Sequence, residues 1–244
     1  MLRKTGRDVM TETIAVIGAG PGLGLAVARR FGQENFRVAL VARSQDRLDS
    51  FAATLADEGI EAAGFPADLA DRSALPSLLA AITARLGEID VLHYAPAGPD
   101  WMSRQVEARD CDAHAFDFPV DLLLRTPAAL IRQLLPSMVA RGRGGVLFGL
   151  PATATAPYPQ LANVGAAAAA ARSYLQSLNA SLAGTGVYAG LLQVAGMVGG
   201  SDAARFATEK WGADALPEPL DPSDLAGELW NLYQARDRFE TTAS

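Results

Sequence analysis

Short apolar runs rich in β-branched residues alternate along the chain with longer stretches of helical periodicity. The runs predict strands over residues 13–17, 37–41, 61–65, 91–94, 145–150 and 187–194. The intervening patterns predict helices over residues 23–34, 46–58, 72–86, 112–141, 160–183 and 222–235. Strands this apolar on both faces suit a parallel sheet covered by helices on each side. Strict β-α alternation then predicts an α/β fold, a Rossmann-type doubly wound parallel sheet with right-handed crossovers. Asp221-Pro222 supplies a cap followed by a first-turn proline, and Gly142 and Gly144 suit the end of the long helix. No linker or internal repeat divides the pattern. We therefore expect one domain over residues 12–244 behind a flexible tail of residues 1–11.

Two segments, 96–109 and 199–219, have weak periodicity and several Pro and Gly residues. Each follows a strand at the sheet's carboxyl edge, where open α/β sheets bind ligands. They are expected to form the wall and lid of a substrate site.

The first predicted strand runs directly into Gly18-Ala19-Gly20-Pro21-Gly22-Leu23-Gly24, and a helix follows. Glycines there permit a tight turn, let backbone approach a pyrophosphate and allow close packing of helix on strand. The free amides and dipole at the helix start favour the phosphates. This placement between strand and helix is the context a dinucleotide motif requires. The second predicted strand ends in Val41-Ala42-Arg43-Ser44, where an NAD site commonly carries an acid for the ribose 2′-hydroxyl. Arg43 suits a 2′-phosphate by charge and geometry, and Ser44 adds a donor. The expected cofactor is NADP(H) in preference to NAD(H).

Composition narrows the partners. The 244 residues carry a net charge of −6, with half of them apolar. No run of five basic residues interrupts that acidic average, which argues against nucleic acid or an acidic membrane surface. No stretch reaches the roughly 18 apolar residues of a membrane span. Cys111 is the lone cysteine, and His93 and His114 are the lone histidines, so no metal site is expected. The basic residues before Met10 precede no apolar signal core. A small-molecule substrate and a cytoplasmic location are the expectations.

Across residues 13–235 the chain resembles the short-chain dehydrogenase/reductase family. Gly18-x-x-x-Gly22-x-Gly24 matches that family's glycine motif, with Ile17 in place of its usual threonine. Ala67-Asp68-Leu69 matches the acidic-hydrophobic pair that contacts adenine, and Asp90-Val91-Leu92 opens the fourth strand as in the family. Tyr94-Ala95-Pro96-Ala97 stands where the family has Asn-Asn-Ala-Gly, which puts Tyr94 and Ala95 beside the nicotinamide ribose. Arg141-Gly142-x-Gly144-Gly145 matches the lead into the fifth strand. Val194-Ala195-Gly196 replaces a Pro-Gly whose loop, here carrying Val198, runs past the nicotinamide.

The resemblance also implies a catalytic tyrosine, a lysine four residues later and a serine after the fifth strand. Alignment through Tyr158-Pro159-Gln160-Leu161-Ala162 places Val164, Ala168 and Pro151 at those positions, and Asp121 at a structural asparagine. No Tyr-x-x-x-Lys exists anywhere, because Lys4 and Lys210 are the only lysines. Neither valine nor alanine can donate a proton, a contribution commonly of about a hundredfold to ten-thousandfold in rate. Tyr158 is a substitute donor or a surface tyrosine, and Thr153 and Thr155 offer hydroxyls to a substrate or to turn backbone. Tyr94 touches the cofactor or packs in the core, whereas His93 points to the opposite face. Trp101 and Met102 line a pocket or pack beneath their loop; His114 and Asp117 read as helix-start residues.

The resemblance thus implies an atypical oxidoreductase of a small carbonyl, imine or alcohol. The alternative is a degenerate scaffold serving as a cofactor-binding sensor, a partner subunit or a non-redox enzyme. The family's helix that carries Ala166–Ala171 commonly forms a homodimer seam, so a homodimer or homotetramer is implied. Leu175, Leu178 and Leu182 recur there at helical spacing, for that seam or for packing on the sheet.

Overall fold

The computed structural model describes residues 11–244; the expected tail falls almost wholly outside them. Seven strands form one parallel sheet in the order β3-β2-β1-β4-β5-β6-β7. They are β1 (Thr13–Ile17), β2 (Arg37–Ala42), β3 (Ala62–Pro66), β4 (Ile89–Tyr94), β5 (Gly144–Pro151), β6 (Val187–Val194) and β7 (Glu240–Ala243). The order reverses beside β1, which pairs with β2 on one side and β4 on the other. Such a switch point opens a crevice at the strands' carboxyl ends.

The helices are α1 (Leu23–Gln33), α2 (Gln45–Asp57), α3 (Leu75–Leu86), α4 (Pro99–Ser103), α5 (Asp117–Val120), α6 (Thr126–Arg141), α7 (Ala162–Ser181), α8 (Asp202–Trp211) and α9 (Pro222–Ala235). All five residues of β1 are buried, and alternation sends them to two cores. Ile14 and Val16 join Phe31, Leu48 and Leu229 under α1, α2 and α9. Ala15 and Ile17 join Ile82, Leu130 and Leu175 under α3, α6 and α7. Full burial of each such aliphatic side chain contributes about 1.5–3 kcal/mol before conformational entropy is subtracted. Among the described residues no helix is long and apolar enough to cross a membrane.

Three elements differ from expectation. The single helix predicted over 112–141 is a succession: a 3-10 turn at Ala113–Phe116, then α5, a π turn at Asp121–Arg125, and α6. Asp112 caps the first turn by accepting from the Ala115 amide at 2.9 Å. Pro127 lacks the amide that an α-helix would pair with residue 123, and the wide turn lies directly before it. Segment 199–219 contains a true helix, α8, whose Ser201 cap accepts from the Ala204 amide at 3.0 Å. Finally, the short strand β7 extends the sheet beyond β6.

His93, on the sheet face opposite Tyr94, is fully buried. Neither ring nitrogen has a hydrogen-bond partner of standard geometry among the described residues. Burial disfavours the charged ring and lowers its pKa to about 4, opposed in part by the Leu147 backbone. An unfolded histidine titrates near 6.5, so the unfolded chain takes up a proton that the folded chain refuses until about pH 4. This contribution to stability is complete above the unfolded value and is lost as pH falls toward 4, at up to about 1.4 kcal/mol per pH unit. His93→Leu should therefore lose less stability than wild type between pH 6.5 and 4.5 in urea titrations. Parallel pH profiles would contradict a buried neutral ring.

Candidate functional site

The site begins where β1 ends. Gly18 has φ +100°, and a Cβ there would lie 2.8 Å from the Pro96 Cα, so only glycine fits the turn. The Gly18 and Ala19 amides both donate to the Val41 carbonyl, at 3.0 and 2.9 Å, which ties the turn to the end of β2. A Cβ on Gly24 would meet the Gly18 carbonyl oxygen at 2.5 Å, so this glycine lets α1 pack against the turn. Gly22 faces the Ser201 Cβ and Val198 Cγ1, which places the start of the α8 segment directly on the turn. Gly20 alone in the motif opens to free space, with nothing within 4 Å of a built Cβ.

Helix α1 has no side-chain cap and no acid in its first turn. Ser44, Ser201 and Asp221 cap α2, α8 and α9, whereas α3, α6 and α7, like α1, have neither a side-chain cap nor a first-turn acid. The first-turn amides of α1 thus lack a side-chain acceptor at the end where a helix favours an anion.

Above the turn lies a cleft of about 570 Å³. Its floor is Gly18, Ala19 and Gly20; its walls are the ends of β2 and β3, the loop after β4, the π turn and one face of α8. Of the residues expected from sequence, Gly18, Gly20, Arg43, Ser44, Asp68 and Leu69 line it. The Ser44 oxygen accepts from the Arg47 amide at 3.4 Å, which leaves its hydroxyl proton to donate elsewhere. Asp68 Oδ1 accepts from the Ala70 amide at 3.0 Å and shapes the turn after β3. The Leu69 carbonyl accepts from Thr126 Oγ1 at 3.0 Å.

Other expected residues lie elsewhere. Tyr94 is completely buried against Phe148, and its hydroxyl donates to the Leu122 carbonyl at 2.5 Å. Its side chain belongs to the core and not to the cleft, and burial raises its pKa. Ala95 is half-buried, its amide donating to the Ile17 carbonyl at 3.1 Å. Val198 packs on Gly22, and Pro21, Gly22, Leu23 and Gly24, within the motif, do not line the cleft.

Sequence reasoning missed the charges at the cleft rim. Arg43 pairs with Asp100 of α4 at 2.5 Å, Arg47 pairs with Asp202 of α8 at 2.7 Å, and Arg205 also pairs with Asp202. Arg47, four residues after Arg43, was the visible signal; Asp100, Asp202 and Arg205 come from segments distant in sequence.

The positions that the resemblance assigns to proton transfer lie beyond Trp101. Val164 and Ala168 are 3% and 0% exposed, one turn apart on α7. Val164 sits among Trp101, Arg104, Phe118, Leu122 and Leu123 in a space too small for water. Its neighbour Asn163 holds that covering segment in place. Asn163 accepts from the Val106 amide at 3.0 Å and donates to the Arg104 and Ala115 carbonyls at 2.8 and 2.9 Å. Pro151 ends β5 and is half-buried.

The substitute donors fare differently. Tyr158 is 56% exposed and lies outside the cleft lining. Thr155 donates to Gln193 Oε1 at 2.6 Å, within a chain running through Glu240 to Arg172. Thr153 Oγ1 is buried without a partner among the described residues and faces Gly165. His114 and Asp117 form an exposed pair at 3.2 Å. Trp101 lines the cleft and also packs beside Val164.

The short chain dehydrogenase family model matches residues 12–210. A short chain dehydrogenase of Pseudocercospora fijiensis is 32% identical over 177 residues, covering 72% of this chain and 56% of that protein. A fatty acyl-CoA reductase of Mycobacterium tuberculosis is 32% identical over 140 residues, covering 57% and 47%. The chain thus spans about half the length of these curated relatives. Among solved structures, an actinorhodin polyketide ketoreductase with NADPH superposes with TM-score 0.83 at 21% identity, covering 96% of this chain and 95% of that one. An NADPH-bound short chain oxidoreductase of Pseudomonas aeruginosa PAO1, described as containing an atypical catalytic center, gives 0.81 at 19% identity, covering 95% of each. With the family model spanning most of its length and the glycine turn set at the sheet's switch point, the chain belongs to the short chain dehydrogenase family.

Proposed function

We propose that the chain holds NADP(H) in the cleft above its glycine turn and acts as an atypical oxidoreductase on a small carbonyl, imine or alcohol. One observation carries this reading: Gly18, Ala19 and Gly20 of the turn that leads into the uncapped α1 line the same cleft as Arg43. Gly20 and the first-turn amides of α1 would take the pyrophosphate. Arg43 and the Ser44 hydroxyl would take the 2′-phosphate, with Asp68 and Leu69 beside the adenine. NADPH on two proteins of the same fold supports the choice. When bound, the nicotinamide supplies the hydride. The chain's part is to hold and orient it, because Pro151, Val164 and Ala168 carry no proton to give. The proton then comes from water or from the substrate itself.

A second reading is favoured by the packing at Val164: a cofactor-binding scaffold without redox turnover, acting as sensor, partner subunit or non-redox enzyme. Either form is compatible with self-association through α7. Ala166, Ala169, Ala170, Ser173 and Ser177 form its exposed side, while Leu175, Leu178 and Leu182 are buried within the chain.

Calorimetric titration tests the cofactor assignment. NADPH should bind one site per chain about tenfold or more tighter than NADH, the discrimination expected of a charge-assisted phosphate contact. NADH binding as tightly as NADPH would contradict it. Following NADPH absorbance with a carbonyl and imine panel then separates the two readings.

A further inference from the structure

The rim of the cleft carries three arginines, Arg43, Arg47 and Arg205, and the aspartates Asp100 and Asp202 already occupy them. Two of these contacts join different walls of the cleft, Arg47 to Asp202 of α8 and Arg43 to Asp100 of α4. Arg43 extends from the end of β2, whereas Asp100 belongs to α4, in the loop after β4. The next residue, Trp101, anchors α4 from the other side by packing against Phe118, Leu122 and Val164. Helix α4 also rests against α8. The short helix is therefore a strap over the cleft, pinned by apolar contact at Trp101 and by an ion pair at Asp100.

We propose that Asp100 is an internal anion that competes with the cofactor's 2′-phosphate for Arg43, and so sets the selectivity for NADP(H) over NAD(H). This inference rests on the cofactor reading above. The carboxylate takes Nη1 of the guanidinium, and a phosphate that engages the Nη1 edge in bidentate fashion needs that same donor. A dinucleotide with a 2′-phosphate must displace Asp100 and free this end of the strap. A dinucleotide with a 2′-hydroxyl leaves the pair intact. Both side chains are exposed, so the pair itself is weak and the competition is modest.

The test is calorimetric titration of NADPH and NADH against wild type, Asp100→Asn, Arg43→Ala and the double variant. Asp100→Asn should bind NADPH up to about fivefold tighter, the range of an exposed ion pair, with NADH unchanged. That gain should vanish in the Arg43→Ala background, because the arginine through which Asp100 acts is gone. An unchanged or reduced NADPH:NADH ratio in Asp100→Asn would overturn the proposal, as would a gain that survives Arg43→Ala. If wild type binds no NADPH, the cofactor reading fails and this inference with it. If wild type binds NADPH and the ratio does not move, this inference alone fails.

Discussion

Asn163→Leu is expected to lower folding stability by about 3 kcal/mol, because it removes the partner of three backbone groups at once. Leucine is close to asparagine in size, so the change creates little cavity, and the loss is one of hydrogen bonding. The 1% exposed side chain accepts from the Val106 amide and donates to the Arg104 and Ala115 carbonyls. These groups belong to an irregular stretch with few strand or helix partners, so one amide supplies what secondary structure supplies elsewhere. Urea denaturation should show the midpoint falling with little change in slope. A loss below about 1 kcal/mol would mean that the segment is held by its apolar contacts instead. Because that segment carries Arg104 onto Val164, the variant should also open the covered side of the site to water.

That covering bears on the chemistry. In the family pattern the positions of Val164 and Ala168 would hold the proton-transferring pair. In this chain both side chains are apolar and buried, and Trp101, which lines the cleft, also packs beside Val164. A tyrosine could not enter the Val164 position without displacing Trp101 or Phe118, since overpacking a filled core is itself costly. The interior around Val164 is filled, whereas the cleft above the glycine turn is open.

Much of the fold was legible because it rests on local pattern. The six predicted strands are present to within a few residues, since their apolar, β-branched runs leave little choice. The Asp221 cap and the left-handed Gly142 were equally readable. Helix α8 was missed although Ser201, Asp202, Lys210 and Gly212 mark its start and end. Its apolar positions are few, and glycine and proline on either side masked the pattern. Strand β7 is four residues long and gains its stability from pairing with β6, which is not a local property. The site divides in the same way. The glycine turn and Arg43 depend on near neighbours and were found. Asp100, Asp202 and the grip of Asn163 depend on tertiary approach across 48 to 155 residues of chain, which no spacing rule reports. Tyr94 shows the converse: strand alternation gave its face correctly, but not that Leu122 would take its hydroxyl.

Gly20 separates binding from folding more cleanly than any other position in the motif. Substitution at Gly18 or Gly24 drives a Cβ into backbone at 2.8 or 2.5 Å, so loss of binding there would follow from a disturbed turn. A Cβ on Gly20 meets nothing within 4 Å, and its φ lies outside the left-handed range. A methyl group there should cost the fold little and even reduce the entropy of the unfolded chain. It would project into the cleft where the backbone must approach the pyrophosphate, and would hold the phosphates away from the first-turn amides of α1. Loss of two charge-assisted hydrogen bonds corresponds to about a hundredfold in affinity. The deciding measurement is therefore NADPH titration of Gly20→Ala beside wild type, with thermal unfolding of both. The account predicts matching unfolding midpoints and NADPH affinity lowered about a hundredfold; a folded variant that binds NADPH as tightly as wild type would contradict it.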